Sequence, residues 1–157
     1  MNPKQSSGKP VSASKVEMTE LVLPGQTNTL GNIFGGRVMQ LIDIAAGVAA
    51  MRHARKTVVT VSIDKLHFKN PIKMGQIIIL KARVEYVGKT SMEIGVDVCS
   101  ENPLTGEKKI ATTAHVTFVA LDQNGKPSPV PPLILESEDE KHRYKLAKER
   151  REKRGRS

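Results

Sequence analysis

Residues 27–50 read TNTLGNIFGGRVMQLIDIAAGVAA, a polar, glycine-rich loop that runs directly into an apolar segment carrying one carboxylate, Asp43. The Ala, Leu and Met content of this segment, and its length of roughly five turns from about Gly36 to His53, favour helix over strand. Between Val38 and Met51 no other charged residue occurs. A carboxylate in such surroundings needs hydrogen bonds, a paired cation or a chemical use to offset its desolvation. Asp43 is therefore the first candidate for catalysis, with a structural bond across a helix interface as the competing reading. The helix is apolar nearly all round, so a second subunit or a ligand must cover it in addition to its own sheet.

Strand patterns surround this helix. Val16–Leu23 alternates and is ended by Pro24-Gly25. Val58–Phe68 alternates around Val59, Val61 and Ile63, then changes phase near Asp64 and Lys65, the pattern of a bulge. Gln76–Tyr86 places Ile78, Leu80, Ala82, Val84 and Tyr86 on one face and Lys81, Arg83 and Glu85 on the other. Ser91–Ser100 groups Met92, Ile94, Val96 and Val98, and Lys109–Leu121 follows after the turn signals of Asn102–Gly106. One strand, a long helix and four strands, the last three joined by short turns, predict an α+β domain with a five-stranded antiparallel sheet wrapped around a central helix. That order excludes a doubly wound domain, and it leaves the charged side chains on the outer face of the sheet. Residues 1–15 are expected to lack structure, 16–135 to form the domain, and 136–157 to be a charged, solvated helix or a fraying tail.

Composition narrows the chemistry. The 157 residues carry a formal net charge of +9, concentrated in the basic tail, which suits an anionic partner without naming it. Nucleic acid is disfavoured because Trp is absent and the few aromatics are scattered. No run reaches a membrane span and no secretory signal opens the chain, so a cytoplasmic protein is expected. The single cysteine, Cys99, lies in a strand pattern and reads as a reduced structural thiol. No metal site is expected, since His53, His67, His115 and His142 share no ligand spacing. The phosphate loop GxxxxGK[ST], the fingerprint GxGxxG and the serine-esterase elbow GxSxG are all missing.

The remaining residues permit acyl transfer. A helix entered through glycines presents free N–H groups, and those of Gly36 and Arg37 are placed to stabilise a negative oxygen. Asn32 offers an amide that could orient water or a substrate carbonyl, or simply hold the loop. Met39, Ala46, Gly47 and Ala50 neighbour Asp43 at helical spacing and are expected to wall a narrow apolar slot around the acid. Asp43 could activate water or attack a thioester directly, and the residues leave both routes open.

Four stretches, GNIFGGRVMQLIDIAAG at 31–47, VVTVSIDKLHFKNPIKMGQ at 58–76, GKTSMEIGVDV at 88–98 and PVPPLILESEDEKHR at 129–143, closely resemble the hotdog-fold acyl-CoA thioesterases of the cytosolic acyl-CoA hydrolase group. The resemblance implies hydrolysis of acyl-CoA to a carboxylic acid and coenzyme A, with no cofactor beyond the CoA that arrives as part of the substrate. It implies a homodimer whose sheets join, assembled further into a homohexamer as a trimer of dimers. It also implies that Asp43 is the essential carboxylate, that Asn32 is its polar partner across the dimer interface, and that the Gly36 N–H polarises the thioester carbonyl. Arg55, Lys56, Lys89, Thr90 and Ser91 are the implied contacts to the phosphorylated end of CoA. A hydratase or dehydratase of the same fold is disfavoured because no histidine lies between Gly31 and Arg52. A non-catalytic acyl-CoA-binding protein is the alternative from another class.

Overall fold

The computed structural model describes residues 7–64 and 66–155. Its main sheet contains β2 (Val16–Leu21), β3 (Thr57–Ile63), β4 (Ile77–Val87), β5 (Ser91–Glu101) and β6 (Lys108–Leu121), in the order β2-β4-β5-β6-β3 with every pairing antiparallel. The sheet curls around α1 (Gly35–Ala54), giving the hotdog arrangement. Ile78, Leu80, Ala82 and Val84 of β4, Met92, Ile94, Val96 and Val98 of β5, and Ala114, Val116, Phe118 and Ala120 of β6 form the inner face. They pack on Leu41, Ile42, Ala45, Ala46 and Ala49 of α1, all buried. Small residues on this side of the helix permit the close approach, and a side chain at Gly47 would meet the Phe118 ring.

The chain is ordered before the expected boundary. Residues 1–6 lie outside the described residues, but Lys9–Pro10 forms β1, which pairs in parallel with β7 (Leu133–Ile134). A 3-10 turn follows at Val11–Ser14, where Val11 is buried and the Ser14 hydroxyl accepts the Val84 N–H at 3.0 Å. The Lys9 ammonium donates to the carbonyls of Arg52 (2.6 Å) and His53 (3.0 Å) at the end of α1, where a cation complements the helix dipole. A polar composition thus concealed one buried valine and two specific polar anchors.

β3 and β4 depart from simple alternation. β3 ends at Ile63 rather than Phe68, and its register shifts between Thr60 and Ser62. Thr60 pairs with Phe118 and Ile63 with Val116, both inner-face residues, so Val61 is the extra residue of a bulge. Val59 and Val61 consequently face outward, 42% and 58% exposed, and do not share a face with Ile63 as the alternation suggested. The expected phase change occurs here, ahead of Asp64; Lys65 lies outside the described residues. In β4 a register shift between Val84 and Tyr86 leaves Tyr86 opposite Glu93, on the outer face and not beside Val84.

That outer face is covered. The charged C-terminal segment forms α2 (Glu138–Gly155), with the Ser137 hydroxyl accepting the Glu140 N–H at its start. Its inner stripe is Arg143, Ala147, Arg150 and Arg154, at helical spacing. Ala147 is fully buried, the Tyr144 ring lies 4.9 Å from that of Tyr86, and the arginines reach acids of the sheet. Arg150 bonds to Glu93 (3.3 Å) and Glu85 (3.6 Å), and Arg154 to Asp64 (3.2 Å). The expected solvated helix is therefore docked, and Arg83, Glu85 and Glu93 of the outer face are buried beneath it. Apolar periodicity could not reveal this, because most of the contact is made by paired charges.

Candidate active site

Asp43 lies on α1 at the edge of its sheet-covered side, next to β3, and is half-buried in the single chain. The Thr60 hydroxyl, aimed inward from β3 at the bulge, donates to Asp43 Oδ1 at 2.7 Å. A bulge re-aims the side chains beside it, and here it lets Thr60 and Ile63 face the same side. The expected slot walls separate into two groups. Ala46, Gly47 and Ala50 are buried against the protein's own sheet, whereas Met39, Ile44 and Met51 are 44–45% exposed along the uncovered side of the helix. The exposed apolar side of the helix therefore carries large side chains, and the small ones serve helix–sheet packing. Leu41 and Ile42 are likewise core residues.

The loop that precedes α1 is held from within. Asn28 Oδ1 accepts the N–H groups of Leu30 (3.0 Å) and Asn32 (3.1 Å), and the Asn28 N–H donates to the Asn32 carbonyl (2.9 Å). Gly31 takes a positive φ of 79°, the turn conformation that glycine adopts without strain. Ile33 N–H to the Ile72 carbonyl and Met74 N–H to the Gly31 carbonyl fasten the loop to residues 72–74. Asn32 enters this arrangement through its backbone and makes no side-chain hydrogen bond among the described residues.

The first turn of α1 has no side-chain cap. The Phe34 carbonyl accepts the N–H groups of Arg37 (3.0 Å) and Val38 (3.2 Å), whereas those of Gly35 and Gly36 have no acceptor among the described residues. Arg37 thus drops out as an oxyanion donor. Its side chain is engaged as well, paired with Glu20 at 2.8 Å and bonded to Gln40. Gly36 is exposed, with open space where a side chain would stand, so a substrate oxygen can reach its N–H.

Of the five residues expected to meet CoA, Arg55, Lys56 and Lys89 lie against the segment 128–130, whereas Thr90 and Ser91 continue from Lys89 into β5 beside β6. Arg55 caps α1 in the left-handed conformation, φ 52°. Arg55, Lys56, Thr57 and Ser128 line an open groove of about 830 Å³. The Lys56 ammonium is committed to Ser128 Oγ (2.8 Å) and the Pro129 carbonyl (2.6 Å). The Lys89 carbonyl accepts the Val130 N–H, the Thr90 carbonyl accepts the Ala120 N–H, and Ser91 Oγ accepts from Arg151 at 2.8 Å. Backbone bonds shape this turn and leave the Lys89 ammonium without a partner among the described residues.

Two of the histidines have structural partners. His53 is fully buried, its Nε2 bonded to the Pro131 carbonyl at 2.8 Å, and burial holds its pKa below the usual value, keeping it neutral. His115 lies 3.4 Å from Glu85. His67 falls outside the strands; its carbonyl accepts the Thr112 hydroxyl. No group of three or more potential metal ligands occurs among the described residues. One neighbour of Asp43 escaped sequence reasoning: Thr60, because the apolar pair Val59 and Val61 that flanks it faces outward.

Comparison with known proteins places this geometry in a family. Residues 30–107 match the thioesterase superfamily model. The chain is 45% identical over 127 residues to an acyl-CoA thioester hydrolase of Bacillus subtilis, covering 81% of this chain and 74% of that protein. It is 37% identical over 152 residues to the cytosolic acyl coenzyme A thioester hydrolase of mouse, covering 96% of this chain and 39% of that protein. Among solved structures, an apo-hexameric acyl-CoA thioesterase superposes with a TM-score of 0.92 at 45% identity, covering 96% of each chain. The acyl-CoA hydrolase of Staphylococcus aureus, solved with butyryl coenzyme A, coenzyme A and coenzyme A disulfide, gives 0.88 at 39% identity, covering 94% of this chain and 90% of that one. That hydrolase has also been solved with its Asp43, its Asn28 and its Thr60 each replaced by alanine. The same three residue types stand at the same spacing here. A central helix carrying Asp43, a free glycine N–H at its start and these likenesses together establish that the chain belongs to the hotdog-fold acyl-CoA thioesterases, enzymes that cleave acyl-CoA to a free acid and coenzyme A.

Proposed function

We propose that Asp43 drives hydrolysis of acyl-CoA thioesters in a site shared by two copies of the chain. The observation that carries this reading is the 2.7 Å bond from Thr60 to Asp43, which fixes a carboxylate at the border between the covered and uncovered sides of α1. In one route Asp43 takes a proton from water as the water oxygen attacks the thioester carbonyl. The oxyanion accepts the Gly36 N–H, then collapses, and the departing CoA sulfur takes the proton back. In the other, the carboxylate attacks directly, expels the CoA thiolate and forms an anhydride that water hydrolyses. Neither route needs a metal or cofactor.

Helix geometry supports a two-chain site. Gly36 and Asp43 are seven residues apart, so they lie on nearly the same face but about 10 Å apart along the axis. One carbonyl group cannot be within hydrogen-bond reach of both. An antiparallel pairing of two α1 helices about a two-fold axis brings Gly36 of one chain toward the Asp43 of the partner subunit. β3 is a free sheet edge with exposed Val59 and Val61, suited to continue into the same strand of a second copy. Three such dimers make the homohexamer, in keeping with the hexameric relative.

For the amide partner we favour Asn28 over Asn32. Two N–H groups fix the Asn28 oxygen, which presets the direction of its NH2 donors, whereas the Asn32 side chain is unanchored. The asparagine replaced in the Staphylococcus aureus hydrolase stands at the Asn28 spacing. The cytoplasm is the proposed compartment, as the name of the mouse relative and the single free Cys99 suggest. The test is thiol release by wild type and Asp43→Asn across short to long acyl-CoAs. A loss of about 10²- to 10⁴-fold with unchanged assembly is expected. Tight acyl-CoA binding by an assembled wild type with no thiol release would overturn the proposal in favour of a binding protein.

A further inference from the structure

Arg151 of α2 makes a contact that hydrolysis itself does not require. Its Nη1 donates to Ser91 Oγ at 2.8 Å, and its guanidinium carbon lies 5.5 Å from the centroid of the Tyr86 ring. The guanidinium also occupies the space that a side chain at Gly88 would fill, since a Cβ there would collide with Arg151 and the Ser91 hydroxyl. Gly88 is not among the glycines with positive φ, so what the position requires is room, not an unusual backbone. An aromatic face, a hydroxyl and a missing side chain thus form a seat for one guanidinium, on the turn that bears Lys89 and Thr90.

The partners of this arginine set it apart from its neighbours. Arg143, Arg150 and Arg154 all pair with carboxylates outside α2, Glu85, Glu93 and Asp64, and they dock the helix. Arg151 has no carboxylate partner among the described residues, although it is seated by three contacts. Its positive charge is therefore left without a paired carboxylate on the turn that also carries Lys89. A guanidinium immobilised on the turn that carries Lys89 adds positive potential there, which suits an anionic phosphate.

We propose that Arg151 is a positioning residue for the substrate: it fixes the 87–91 turn and sets its charge, so that α2 governs affinity for the phosphorylated adenosine end of CoA without entering the thioester chemistry. This rests on the reading that the turn meets CoA, and the experiment separates the two. Kinetics are compared on an acyl-CoA and on the matching acyl N-acetylcysteamine thioester, which ends before the phosphates, and CoA affinity is measured by calorimetry. Arg151→Met keeps most of the side-chain volume, Gly88→Ala evicts the guanidinium while keeping the arginine, and Lys89→Ala tests the turn.

Arg151→Met and Gly88→Ala are each expected to raise KM for acyl-CoA and the Kd for CoA roughly three- to tenfold, with kcat and the truncated substrate unaffected. The double variant should be no worse than the worse single one, because both changes remove the same contact. Equal impairment on both substrates would reveal a merely structural role and overturn the proposal. An effect of Lys89→Ala on CoA affinity without one from Arg151→Met would sink the role of Arg151 alone. No effect from either would remove the turn from CoA binding, and the inference with it. Calorimetry measures CoA affinity in every variant even if no thiol is released.

Discussion

Thr60→Val removes one oxygen and nearly nothing else, and it addresses the contact on which the acid depends. Thr60 and Asp43 meet because Thr60 pairs with the inner-face Phe118 and so faces the helix, just ahead of the β3 bulge. Valine keeps the branched shape and the strand preference, so the fold and β3 pairing persist. A hydrogen bond to an ionised group contributes about 1.5–3 kcal/mol, which corresponds to roughly 10- to 150-fold in kcat/KM if the bond is made in the transition state. Thr60 is exposed and Asp43 half-buried in the single chain, which places the expectation toward the lower end unless a second copy excludes water. The assay is continuous thiol release with assembly checked by light scattering. Thr60→Ser should retain most activity, because it keeps the donor. Wild-type rates in Thr60→Val, or an equal loss in Thr60→Ser, would refute the argument that the hydroxyl orients the carboxylate.

Asn28→Ala and Asn32→Ala discriminate the two amides: thiol release should fall about tenfold or more in the first and little in the second, and the reverse order would restore Asn32 as the polar partner. Val61→Lys places a charge beside the free edge of β3; light scattering should report dissociation and activity should fall with it, whereas a fully active monomer would refute the two-chain site. Glu85 supplies a pH dependence. Burial pushes its pKa up, but the hydrogen bond from His115 and the charges of Arg83, His115 and Arg150 outweigh this and leave it below the ordinary 4.5. Its contribution is therefore fully present above pH 4.5 and is lost as the pH falls through the lower folded value. Protease release of α2 should rise over that acid range and lose its pH dependence in Glu85→Gln; an unchanged profile in the variant would assign the transition to another group.

What the sequence concealed has one physical origin. Alternation reports which side of a strand is apolar, but not whether that side faces the helix. β4 and β5 were legible because Ile78 to Val84 and Met92 to Val98 are apolar and point inward. β3 was misread because its most regular apolar pair, Val59 and Val61, faces outward at the edge, and the bulge brings Ile63 back to the inside. That single error of face placed Thr60 on the wrong side of the sheet and hid the partner of Asp43. The outer face was misread for a complementary reason: Arg83, Glu85 and Glu93 look solvated, yet paired arginines bury them under α2.

The helix itself was the most informative element because it carries more apolar surface than one sheet can cover. Leu41, Ile42, Ala45, Ala46 and Ala49 account for the side that packs on the sheet, and Met39, Ile44 and Met51 stay exposed along the rest of the helix that bears Asp43. Those methionines and the isoleucine are not needed to fill this chain's core. Covering them with a second α1 would exclude water from Asp43 and Thr60, and a less polar environment strengthens both their bond and the pull of the Gly36 N–H on a developing oxyanion. Assembly and catalysis then depend on the same residues: a change that leaves the monomer folded but keeps the helices apart should abolish turnover as completely as loss of the carboxylate.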